Sequence, residues 1–96
     1  MQKPETRIVQ EIIAWIKAHG GDAYHVHGSQ FQRKGEPDID GWLPTDKGIL
    51  HLKVEVKTGI GKATPLQLYR LEKYRAAGYV AGVVRSLEEF RVLTGT

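Results

Sequence analysis

From Glu5 to His19 the apolar residues Ile8, Val9, Ile12, Ile13 and Ile16 recur at three- and four-residue intervals. That is the period of an amphipathic helix, and Gly20-Gly21 marks its end. Ala23 to His27 reads as a short first strand, and the polar, glycine-flanked stretch from Gly28 to Pro37 as a loop. Asp38 to Leu43 is a second strand and Pro44 to Gly48 a turn. Ile49 to Lys57 is the clearest strand of the chain, because Leu50, Leu52, Val54 and Val56 alternate with His51, Lys53, Glu55 and Lys57. Thr58 to Lys62 interrupts the pattern. A second helix then opens with Thr64 as N-cap, Pro65 at its first position and Gln67 completing a capping box; it runs to about Ala77, before Gly78. Tyr79 to Val84 is a fourth strand, and Ser86 with Glu89 forms another capping box that begins a short last helix. The order αβββαβα predicts an α/β fold, a small mixed sheet flanked by helices.

Composition narrows the class. Residues 1–96 make one domain, short enough to bury only ~60–65% of its unfolded surface, so that oligomerisation would help its modest core. With 41% hydrophobic and 26% charged residues the chain is not a disordered one. The absence of cysteine excludes disulfides and thiolate metal sites and fits a reducing compartment. No apolar run approaches the ~20 residues of a membrane helix, and Met1 to Glu5 has no signal-peptide character. The expectation is a soluble cytoplasmic protein without a membrane partner. The net charge of +3 is uneven: residues 1–48 carry six Lys/Arg against seven Asp/Glu (−1), and residues 49–96 carry eight against four (+4). A basic second half suits a polyanionic partner.

The two middle strands are joined by a short turn, so an antiparallel hairpin is expected. With its centre near Asp46 and Lys47, paired positions sum to 93: Asp38 lies opposite Glu55, Asp40 faces Lys53, and Trp42 faces His51. Alternation then sends Asp38, Asp40, Glu55 and Lys57 to one side of the sheet, and Leu52, Val54 and Val56 to the other, into the core. Two carboxylates about 5 Å apart repel each other unless a cation lies between them, and hard ions such as Mg2+ prefer such oxygens. Lys57, two residues further along that face, is placed to orient or activate a water, and Lys53 to assist binding. A register slip of one residue would undo the arrangement. Taken alone, Glu-Val-Lys is an ordinary solvated strand edge and Pro-Asp an ordinary turn; the pairing of the two gives them meaning.

Glu5 is open to two readings. At about 100° per residue it falls within the apolar stripe of the first helix, where a carboxylate needs a partner or a metal, whereas Glu11 falls on the opposite side. Equally, Glu5 sits in the first helical turn, where negative charge complements the helix dipole. Other residues carry weaker signals. His25 and His27 share a strand face but lack further zinc ligands. Arg33, Lys34 and Lys62 could touch phosphates or serve solubility. Trp42 is expected to pack against a partner subunit, and Phe31 is open between such packing and base stacking.

Glu5 in a first helix, Gly35-Glu-Pro-Asp38, Val54-Glu-Val-Lys57-Thr-Gly59 and Thr64-Pro-Leu-Gln67 together resemble the PD-(D/E)XK nuclease superfamily. More narrowly they resemble the virus-type replication-repair nuclease (VRR-NUC) domain, from about Glu5 to Val84. The αβββαβ order is also that superfamily's core. The resemblance implies that Asp38 and Glu55 bind Mg2+ or Mn2+, with the Val56 carbonyl completing the set and Glu5 joining through the metal or its waters. It implies that Lys57 positions the attacking water and stabilises charge on the phosphate. Gln67 would project toward the site, although the capping box explains it as well. The implied substrate is branched DNA, first a four-way junction, cleaved by a homodimer; stand-alone domains of this type resemble phage products, which would act in the host cytoplasm. The rivals are a flap-type nuclease of the same mechanism, a catalytically inactive nucleic-acid-binding module, and a plain interaction domain.

Overall fold

The computed structural model describes residues 3–26 and 33–96. Helix α1 spans Pro4–Ala18, strand β1 Asp22–His25, β2 Ile39–Thr45, β3 Gly48–Val56, helix α2 Pro65–Ala76, β4 Val80–Val84, and helix α3 Leu87–Thr94. The four strands stand side by side in chain order; β1–β2 and β2–β3 are antiparallel, and β3–β4 is parallel. The parallel pair requires a crossover, and α2 supplies it.

One face of the sheet carries the main core. Val9, Ile12 and Ile16 of α1 meet Ile39, Leu43, Leu52, Val54, Val56 and Val84 of the sheet and Phe90 of α3, all buried. Each such aliphatic or aromatic side chain stabilises the fold by roughly 1.5–3 kcal/mol relative to exposure. Helix α2 packs on the opposite face, against β3 and β4, and buries only Leu71. It reaches no further across the sheet, so the site described below lies between α2 and the polar side of the hairpin.

The hairpin is tighter than the sequence reading had it. β2 continues through Pro44 and Thr45, leaving Asp46 and Lys47 as the turn, and Gly48 follows at φ +115°, where an L side chain would be strained. β1 pairs with β2 only as far as Trp42, so Pro44 lies where β2 has a single neighbour and a missing N–H is tolerated. The other elements agree within two residues. The box at α3 is half formed: Ser86 Oγ accepts from the Glu89 N–H, but Glu89 Oε1 accepts from the Arg85 N–H rather than from Ser86. His27, Phe31 and the first half of the polar loop expected between Gly28 and Pro37, residues 28–32, lie outside the described residues.

Candidate active site

The expected register holds. Asp40 faces Lys53 and Trp42 faces His51, and the ladder begins at Ile39 opposite Val54. Asp38 is therefore one residue outside the ladder, on the line that leads to Glu55. Two main-chain bonds fix it: its carbonyl accepts from the Val26 N–H (2.7 Å), and its Oδ2 accepts from the Val56 N–H (2.8 Å). Val54 and Val56 turn into the core, so Glu55 between them turns the other way, under α2. There it is only 2% exposed, the one polar or charged residue among the described residues to be buried in this way.

A buried carboxylate is stable only when its oxygens are matched. Glu55 Oε2 accepts from Gln67 Nε2 at 3.0 Å and lies 3.3 Å from Lys57 Nζ. Glu55 Oε1 is buried and has no hydrogen-bond partner. Burial, and after it the charge of Asp38, pushes the Glu55 carboxyl up from 4.5 to about 7; the charge and hydrogen bond of Lys57 oppose this, and a hydrogen bond to Asp38 adds to it. Two acids and one ammonium thus share a site with an oxygen left over. This donor set fits a divalent ion, since Mg2+ commonly takes one or two carboxylates and keeps several waters. Asp38, Glu55 and the main-chain carbonyl of Val56 at the end of β3 are the groups that could hold it.

Gln67 does both things that the sequence offered as alternatives. Its main-chain N–H donates to Thr64 Oγ1 (3.1 Å), its Oε1 accepts from the Thr64 N–H (2.8 Å), and its Nε2 donates to Glu55. A glutamate could complete the same capping box, but its second oxygen would face Glu55 as a second anion. Only an amide has an acceptor end for the cap and a donor end for the acid.

Glu5 stands apart. It is exposed, as are Lys3 and Pro4, and the stripe of α1 becomes buried only at Val9. The helix begins at Pro4, and its first turn precedes the buried residues Val9, Ile12 and Ile16. The burial argument for Glu5 therefore fails, while its place in the first turn suits the helix dipole. Among the described residues no three acidic, histidine or cysteine side chains gather into a metal cluster.

Lys53 pairs with Asp40, the residue it was expected to face. Its ammonium is 2.7 Å from Asp40 Oδ2, which accepts in addition from the Tyr24 hydroxyl (3.1 Å), and it lies 4.6 Å from the Tyr74 ring centre and 5.6 Å from that of Tyr79. It is held by these neighbours. Arg33 pairs with Glu36 at 2.8 Å, whereas Lys34 and Lys62 are exposed. Trp42 is 42% exposed, so its ring is left on the surface of the single chain. Sequence reasoning gave no role to Glu36, Arg70, Tyr74 or Arg85. Arg85 holds the glycine loop after β3 by donating to the carbonyls of Gly59 (3.1 Å) and Gly61 (2.7 Å). A concavity of about 630 Å3, lined by residues such as Trp15, His19, Leu43 and Arg91, contains neither Asp38 nor Glu55.

No family model matches the sequence, and no curated protein matches it. Solved structures do. One described as "VRR_NUC domain" superposes with a TM-score of 0.77 at 29% identity, covering 98% of this chain and 97% of its own. A second, described as "VRR_NUC domain protein", has a TM-score of 0.70 and covers 99% of this chain and 88% of its own; at 19% identity it speaks to the fold alone.

Proposed function

This chain is a VRR-NUC domain with the α/β core of that nuclease class, and from that premise we propose that it is a metal-dependent DNA endonuclease. Its substrate is branched DNA, with a four-way junction first, and it works as a homodimer with Mg2+ or Mn2+ in the cytoplasm. The observation that carries the reading is Glu55: a buried acid beside Asp38, raised to about 7, with one oxygen unmatched. Keeping that acid out of water is unfavourable, and a cation relieves it. A pure binding module has no use for the arrangement.

Asp38, Glu55 and the Val56 carbonyl would hold the ion; Glu5, exposed in the first turn of α1, enters only through the family resemblance, by way of the ion's waters. A bound divalent ion would polarise the phosphate and lower the pKa of a water. Lys57, whose ammonium lies 3.3 Å from Glu55, would orient that water and stabilise charge on the phosphate. Gln67 donates to the Glu55 carboxylate and helps to orient it. No helix among the described residues is long and apolar enough to cross a membrane.

The test is incubation with end-labelled four-way junction, flap and linear duplex in Mg2+, Mn2+, Ca2+ or EDTA. Cleavage of the junction in Mg2+ or Mn2+, with Ca2+ supporting binding alone, is expected. Preference for the flap moves the substrate and keeps the mechanism, and metal-independent binding without cleavage leaves the inactive module. In the same assay Glu5→Gln should remove most activity and Glu11→Gln little. Equal losses would take Glu5 out of the site.

A further inference from the structure

The separation of Asp38 and Glu55 is not set by strand pairing alone, because Asp38 precedes the ladder. The residues that lead into it are docked on α2. Gly35 has φ +82°, and a Cβ there would lie 2.7 Å from Leu66 Cγ, so only glycine lets the loop lie so close to the first turn of α2. Arg70 Nε donates to the Lys34 carbonyl at 3.4 Å. The Tyr74 hydroxyl donates to Glu36 Oε2 at 2.5 Å, and Glu36 Oε1 lies 2.8 Å from Arg33 and 3.8 Å from Arg70. Between Glu36 and Asp38 stands Pro37, buried and with φ fixed by its ring, which also confines Glu36 to extended conformations. A displacement of Glu36 is thus passed to Asp38 through one stiff residue.

Gln67, Arg70 and Tyr74 lie at i, i+3 and i+7 on one face of α2. The first touches Glu55, and the other two hold Glu36. Bonds from Val26 and Val56 tie Asp38 to the sheet; the Tyr74–Glu36 bond ties it to the same rigid helix that holds Glu55. Burial favours the neutral phenol, since desolvation raises the Tyr74 hydroxyl above its usual range and Glu36 raises it further. Tyr74 therefore remains a donor at any working pH.

We propose that Tyr74, acting through Glu36, is a positioning residue for the Asp38–Glu55 pair, so that α2 sets the spacing of both acids. The inference rests on the nuclease reading above. The experiment is Mn2+ titration of the DNA-free protein by calorimetry, with thermal unfolding and single-turnover cleavage alongside. Tyr74→Phe keeps the ring against Lys53 and Tyr79 and removes only the hydroxyl. Its Mn2+ affinity should fall about 10-fold, the usual effect of losing an outer partner of a metal ligand. Cleavage should fall with it and be recovered by raising Mn2+, while DNA affinity is unchanged. Glu36→Ala, which also removes the pairs with Arg33 and Arg70, should lose at least as much, and the double variant little more than Glu36→Ala alone, because Tyr74 acts through Glu36. Tyr69→Phe, on the exposed side of α2, should leave all three readouts unaltered. A Tyr74→Phe protein that unfolds at lower temperature yet binds Mn2+ like the wild type overturns the proposal and leaves a structural bond only. Wild-type protein that binds no Mn2+, indistinguishable from Glu55→Gln, fails at the earlier step and removes the nuclease reading together with it.

Discussion

Glu55→Gln should abolish divalent binding and lower cleavage by about 10³-fold or more, while making the metal-free protein more stable at pH 8. Loss of a group that acts on developing charge typically lowers rates by 10²–10³-fold, and Glu55 is in addition a direct candidate ligand. The stability effect follows from the raised carboxyl. An acid that titrates near 7 in the folded protein and near 4.5 unfolded binds more protons when folded throughout that interval. Its contribution to stability is complete below about 4.5 and is lost as pH rises through 7. Glutamine has no such charge to bury, so the variant should unfold at a higher temperature than the wild type at pH 8, with the difference shrinking toward pH 5. Mg2+ should reverse the order at pH 8, because it binds the folded wild type only. Thermal unfolding at pH 5, 6, 7 and 8, with and without Mg2+, reads both effects. Parallel curves for the two proteins across this range would show that the buried charge is harmless and the metal argument empty.

The hairpin was the most legible part of the molecule. Strict alternation from Leu50 to Lys57 and a turn centred on Asp46 and Lys47 leave one register that keeps Leu52, Val54 and Val56 in the core, and the same register aligns Asp38 with Glu55. The order of elements was equally readable, since helix caps at Thr64 and Ser86 and the period of α1 are local signals. What could not be read were contacts made across the fold. Tyr74 and Glu36 are 38 residues apart, and nothing local in either says that α2 lies over the loop before β2. Gln67 was ambiguous because its cap is local and its bond to Glu55 is not, although one amide serves both. Glu5 misled for a different reason: a helical wheel reports direction and not how far the neighbouring sheet extends, and the first turn of α1 is exposed. Lys53 lay on the correct face, but its aromatic neighbours come from α2 and the start of β4, far along the chain.

Lys57→Ala should leave junction affinity in Ca2+ near that of the wild type and lower single-turnover cleavage in Mg2+ by about 10²-fold or more. The lysine is anchored at the end of β3, where its N–H donates to the Val84 carbonyl, and its ammonium sits 3.3 Å from Glu55 with little of the side chain exposed. A cation so placed is not a freely swinging phosphate contact. If it were one, its loss would weaken binding to all substrates and lower the salt slope by roughly one unit, as expected instead for the exposed Lys62. A group acting mainly in the transition state changes rate and not affinity. The electrostatics add a signature that a pure binding role would not produce. Lys57 holds the Glu55 carboxyl down against burial and Asp38, so its removal should push Glu55 higher and move the acid limb of the rate profile to higher pH. Lys57→Arg should not restore the rate, because a planar guanidinium is a poor replacement for a compact ammonium in a water-sized space. Rate–pH profiles of the three proteins under single turnover decide the matter: a Lys57→Ala enzyme with wild-type rate and an unshifted acid limb would return Lys57 to the status of a solvated strand charge.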